Sequence, residues 1–138
     1  MKEQEITARI ILEIIGSPKE YIEGQLQEAI KKLENEDKIN LLNAKTFESE
    51  ELENKFWSSF VEIEFKAPNI KNVLDVCFDY TPTTLEILEP AGIELDTEYL
   101  AAMFNDLLSK MHQFIAVLKN TEAENILLKE EVKKLKQS

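Results

Sequence analysis

The sequence predicts an α+β protein: a four-stranded antiparallel sheet with two helices on one face, followed by a long C-terminal coiled-coil helix. Three observations lead there. Apolar and polar residues alternate over residues 5–15 and 56–66, as in strands with one buried face. A helical stripe follows each of those stretches. From Asp96 onward the chain has neither proline nor glycine, and its apolar residues step in heptads.

In the first strand Ile6, Ala8, Ile10, Leu12 and Ile14 point one way, and Thr7, Arg9, Ile11, Glu13 and Ile15 the other. Gly16-Ser17-Pro18 ends it. Ser17 is expected to cap the next helix, with Pro18 at its first position and Glu20 closing a capping box. That helix should bury Ile22, Leu26, Ala29, Ile30 and Leu33, and Gly24 interrupts it at a cost of ~1 kcal/mol relative to alanine. A polar turn at residues 35–38 leads to a second strand over residues 39–47. The acidic stretch 48–55 reads as a loop with room for one helical turn. In the third strand Trp57, Ser59, Val61, Ile63 and Phe65 share one face, and Phe56, Ser58, Phe60, Glu62 and Glu64 the other. Pro68-Asn69 opens a helix with the stripe Ile70, Val73, Leu74, Cys77 and Phe78, and Thr81-Pro82 stops it. Leu85 and Ile87 mark a fourth strand ending at Pro90.

The element order is β-α-β-β-α-β, which right-handed crossovers turn into an antiparallel sheet with both helices on one face. In this order, and in the Gly16-Ser17-Pro18 turn, residues 5–90 resemble the ferredoxin-like superfold and, more narrowly, the ACT-type regulatory domain. ACT domains often bind small effectors beside that turn. The resemblance therefore implies an effector site at Gly16, Ser17, Pro18 and Tyr21, with Ser17 standing where ACT turns commonly carry an acidic residue or asparagine.

The helix-free face of such a sheet would hold Ile11, Ile15, Phe56, Phe60 and Leu88, a patch that needs covering by the C-terminal helix, a second subunit, or both. Ile11, Ile15, Phe56 and Phe60 are its candidate interface residues. Arg9 should lie there among Glu13, Glu62 and Glu64. A cross-strand ion lattice is the reading favoured over a cation site or an acid–base pair.

The sequence divides into an α/β domain, residues 1–95, and a helix, residues 96–138, with Asp96 as its N-cap. Placing Phe104 at heptad position a puts Met111, Leu118, Asn125 and Val132 at a. It puts Leu107, Phe114, Thr121, Leu128 and Leu135 at d. Asn and Val at a with Leu at d favour a parallel pair, since facing asparagines bond only in register. Glu124 at g then faces Lys129 at e of the partner, and Glu131 faces Lys136, pairs that choose orientation at ~0.3 kcal/mol each. The dimerisation set is thus Phe104, Leu107, Met111, Phe114, Leu118, Asn125, Leu128, Val132 and Leu135. Residues 123–136 look like a leucine-zipper segment without a preceding basic region. A helix lying on its own domain, or an antiparallel pair, fits the same spacing. Leu108, Ile115 and Val117, at e and g, widen the stripe in the first half, which suggests more than one neighbour there.

Composition narrows function. The net charge of −11 disfavours nucleic acid. Residues 1–95 carry 20 acidic and 10 basic side chains, and residues 96–138 carry 7 and 6, so the excess lies on the first domain. No apolar run approaches the roughly 20 residues that cross a bilayer, and the start does not read as a signal peptide. The single cysteine, Cys77, fits a reducing cytosolic compartment. No metal set can form around the lone His112 at outward position b, no glycine-rich phosphate loop is present, and Ser58-Ser59 lack a nucleophile context. No cofactor is expected. The expectation is a non-catalytic homodimer that presents an acidic head to another protein, with small-molecule sensing as the alternative.

Overall fold

The computed structural model describes residues 4–137. The chain divides into two compact units after Glu94.

The first unit, the head, is built on one antiparallel sheet. Strand β1 (Ile6–Gly16) is followed by helix α1 (Lys19–Glu34), strand β2 (Asn40–Thr46), the two-residue strand β3 (Glu50–Glu51) and strand β4 (Trp57–Ala67). Helix α2 (Ile70–Tyr80) and strand β5 (Thr84–Glu89) complete it. The strand order is β2-β4-β1-β5, with β3 attached to β4. The two most regular alternating stretches, β1 and β4, pair along their whole length, Ile6 opposite Ala67 and Gly16 opposite Trp57. Their inward residues Ile6, Ala8, Ile10, Leu12, Val61, Ile63, Phe65 and Ala67 are all buried. They form the core with Leu26, Ile30 and Leu33 of α1 and Val73 and Val76 of α2.

The expected four-stranded sheet has a fifth strand. Residues 48–55, read as a loop, contain β3, whose Glu50 and Glu51 pair with Ser58 and Trp57. A 3₁₀ turn, Glu53–Lys55, follows. Asn54 and Lys55 adopt φ of 61° and 66°, the left-handed conformation that folds the chain back into β4. Glutamates have low strand propensity, so this pairing is imposed by the neighbouring strand rather than by local preference.

Two expected helix details also change. The backbone of Pro18 is extended, at φ −75° and ψ 171°, which makes it the N-cap of α1 in place of Ser17. Its carbonyl accepts from the amides of Tyr21 and Ile22, and no side chain caps this end. In α2 the buried residues are Asn72, Val73 and Val76, with Ile70, Cys77 and Tyr80 packed beside them, rather than a stripe through Leu74 and Phe78. Seven of its eleven residues are apolar or aromatic. Periodicity alone therefore could not single out one face, and the sheet chose it. The helix opens at Pro68-Asn69 as the sequence suggests, and Asn69 caps it, accepting from the amide of Asn72 at 2.9 Å.

Glycines 16 and 24 behave in opposite ways. A Cβ on Gly16 would lie 3.0 Å from Ile22 Cγ2, so glycine lets α1 close onto the strand end. A Cβ on Gly24 would meet nothing within 4 Å. Gly24→Ala is therefore expected to raise stability by about 0.5–1 kcal/mol, read as a higher urea midpoint at unchanged slope. A drop in the midpoint would mean that α1 is not helical through residue 24.

The second unit is helix α3 (Thr97–Gln137), 41 residues without interruption. At ~1.5 Å per residue it is about 60 Å long. Asp96 caps it as expected, its side chain accepting from the Tyr99 amide at 2.7 Å and its carbonyl from Leu100 at 3.0 Å.

Candidate interaction surfaces

None of α3's described residues is buried. Along the a positions Phe104 is 56% exposed, Met111 45%, Leu118 51% and Val132 48%. At d, Phe114, Leu128 and Leu135 are exposed and Leu107 is half-buried. Heptad spacing has thus laid one apolar seam along the helix, and the helix's own unit does not bury it. Apolar surface of this extent on a single helix is of the kind that packing against a neighbour stabilises. Leu118, Thr121, Glu122, Glu124, Asn125 and Leu128 surround a shallow hollow on the helix surface. These are a, d, e and g positions, the set that forms a hole for a partner's knob.

The open face of the sheet is the second surface. Arg9, opposite Glu64 on β4 and Glu86 on β5, reaches Glu64 at 2.9 Å, Glu86 at 3.0 Å and Glu62 at 3.2 Å. The hydrogen bond that Arg9 donates to Glu64, followed by the charges of Glu64, Glu86 and Glu62, raises the guanidinium's pKa against the lowering effect of burial. The lattice exists, but its membership differs from expectation: Glu86 joins, and Glu13, opposite Phe60, is not a partner of Arg9. Lys66 adds a pair with Glu5 at 3.6 Å.

Replacing Arg9 with methionine would leave three carboxylates facing one another across β4, β1 and β5. The Arg9→Met protein is expected to melt below the parent at neutral pH and low salt. The deficit should shrink in 1 M salt, where charges are screened within about 3 Å. A deficit unchanged by salt would exclude carboxylate repulsion as its cause.

Around the lattice lie the apolar residues. Ile15 and Phe56 are exposed, and Ile11, Phe60 and Leu88 are partly buried. Phe60 stacks on Phe47, with centroids 4.5 Å apart, and the Lys45 ammonium sits 5.1 Å from the Phe47 ring centre. Phe47 and Lys45 were outside the sequence-derived set because the pattern of β2 is weak, and a bulge between Leu41 and Asn43 breaks its alternation.

The turn after β1 is open. Ser17, Pro18 and Tyr21 are exposed, and the Tyr21 hydroxyl accepts from Gln25 at 3.1 Å. Gly16 is explained by the approach of Ile22. Lys19 lies 5.0 Å from the ring centre of Trp57, which is partly buried. Nearby, the Ser49 hydroxyl contacts Glu23 at 2.5 Å and Ser59 at 3.1 Å. This buried polar link ties the segment after β2 to α1, and no local sequence pattern announces it. On α2, burial raises the pKa of Cys77. Burial and a 3.0 Å hydrogen bond to Glu36 raise that of Tyr80. Among the described residues no group of His, Cys, Asp or Glu could hold a metal ion, and no helix is long and apolar enough to cross a membrane.

Sheet, lattice and exposed seam define an α+β protein with a long heptad-patterned C-terminal helix. The chain belongs to the MJ0538 family, whose sequence model matches residues 7–137. That match runs through head and helix alike, so the two units belong together as one family architecture. No curated protein and no solved structure gave a match.

Proposed function

We propose that this protein is a non-catalytic homodimeric interaction module. Residues 118–135 of α3 pair in parallel, and the acidic heads, working in a reducing cytosolic compartment, present their open sheet face to another protein. The observation that carries the reading is the uncovered seam of α3, with Leu118, Leu128 and Leu135 each more than half exposed around Asn125. Asn125 and Val132 at a with leucine at d are the combination that selects two parallel strands. Glu124 against Lys129 and Glu131 against Lys136 would favour the same orientation. The strand order β2-β4-β1-β5, with α1 and α2 both packed on the β1–β4 layer, supports reading the head as ferredoxin-like. Ile15 and Phe56, exposed beside the Arg9 lattice, support a protein-docking role for its open face.

Oxidation of a Leu128→Cys protein tests the arrangement. Parallel, in-register helices bring two d positions face to face, so a disulfide-linked pair of chains is expected. Antiparallel pairing would give none. A monomeric mass for the unmodified chain at micromolar concentration would overturn the proposal altogether.

A further inference from the structure

We infer that α3 carries a second seam over residues 104–118, through which two of the proposed dimers join into a tetramer. This rests on the parallel dimer above. In the zipper half the e positions are Glu122, Lys129 and Lys136, as a two-stranded coil requires. In the first half they are Leu108 and Ile115, 50% and 42% exposed, with Val117 at g exposed at 61%. An a/d stripe is satisfied by one partner helix, whereas an a/d/e stripe is the face of a helix inside a bundle.

The core positions change at the same point. The residues that select two strands, Asn125 and Val132 at a, lie only in the second half. The first half has Phe104, Met111 and Leu118 at a, none of them β-branched, which removes the preference for two strands.

The occupant is a second copy of this segment. Between Lys110 and Lys119 there is no Asp, Glu, Lys or Arg, whereas nine of residues 119–137 are charged. An isologous contact sets a patch against itself, so a charge-free apolar patch suits it and a charged one repels. The net charge of −11 opposes close approach of copies through the acidic head, but not through this stretch. The patch also continues the a/d seam without a break, so four helices can share one core.

Sedimentation equilibrium of the full chain at tens of micromolar should give four times the 16.0 kDa chain mass. Leu108→Lys/Ile115→Lys should halve it to two chains, and the milder Leu108→Gln/Ile115→Gln should lower the tetramer's association constant at least tenfold. Both sites are exposed in the single chain, so circular dichroism should show the fold retained. A two-chain mass for the parent, meaning another occupant for the patch, overturns the tetramer and leaves the dimer standing. A single-chain mass sinks both, and a four-chain mass that survives all four substitutions removes the e positions from the contact.

Discussion

Leu118→Glu combined with Leu128→Glu is expected to convert the protein to a monomer at micromolar concentration and to melt the last third of α3. Each leucine is about half exposed in the single chain, so seating it in a partner's hole recovers on the order of 1 kcal/mol. Placing a carboxylate there instead costs several kcal/mol more. Counted at both positions on both chains, the loss exceeds the ~8 kcal/mol that separates a micromolar complex from free chains. Without a partner, the charge-rich residues 119–137 have no packed apolar face to hold them helical in water. Light scattering should therefore report one chain, and the 222 nm circular dichroism should fall while the head still unfolds cooperatively. Retention of both the parent mass and the parent helical signal would show that the seam is not the contact.

Phe65→Ala should be the most damaging single change to the head. Phe65 is fully buried in β4, opposite Ala8 of β1 and Leu41 of β2, among the largest side chains in the core. Truncation removes its transfer free energy and leaves a cavity that the surrounding isoleucines cannot fill, at a cost of about 3–5 kcal/mol. For a domain of this size that corresponds to a fall in thermal midpoint of roughly 15–30 °C. Ile15→Ser supplies the contrast. Ile15 is 59% exposed on the opposite face, and the change should stay within about 0.5 kcal/mol in the isolated protein. A Phe65→Ala cost below ~1 kcal/mol would mean that the two helices do not seal this layer.

Those two residues also show how far the chain could be read. β1 and β4 alternate cleanly over eleven residues each, so their inward and outward sets were legible, Phe65 inward and Ile15 outward included. The cap at Asp96 was legible because a side-chain oxygen three residues ahead of an amide is a local signal, although the same signal at Ser17 was overridden by the extended backbone of Pro18. Whatever depends on distant residues was not legible. Glu86 joins Arg9 only through the register of β5 on β1, and that register shifts between Thr7 and Ala8. Glu23, Ser49 and Ser59 meet across α1, the segment after β2, and β4, and nothing near any of them foretells the others. The heptads of α3 are a property of sequence spacing, so both candidate seams were visible before any coordinates, and the exposure of their side chains adds that the helix's own unit does not bury them.

β1 lies at the centre of the sheet although it is made first, and this has a consequence for biogenesis. Its neighbours are β4 and β5, so Ile6 must wait for Ala67 to emerge and Thr7 for Glu89. At ~5–20 residues per second, the most apolar strand of the nascent chain stays unpaired for roughly 3–12 s. During that interval its isoleucines are open to holding chaperones and to neighbouring nascent chains. The head can close only after β5 has cleared the ribosome, and α3 follows it out, so the sheet can be complete before the whole heptad seam is exposed.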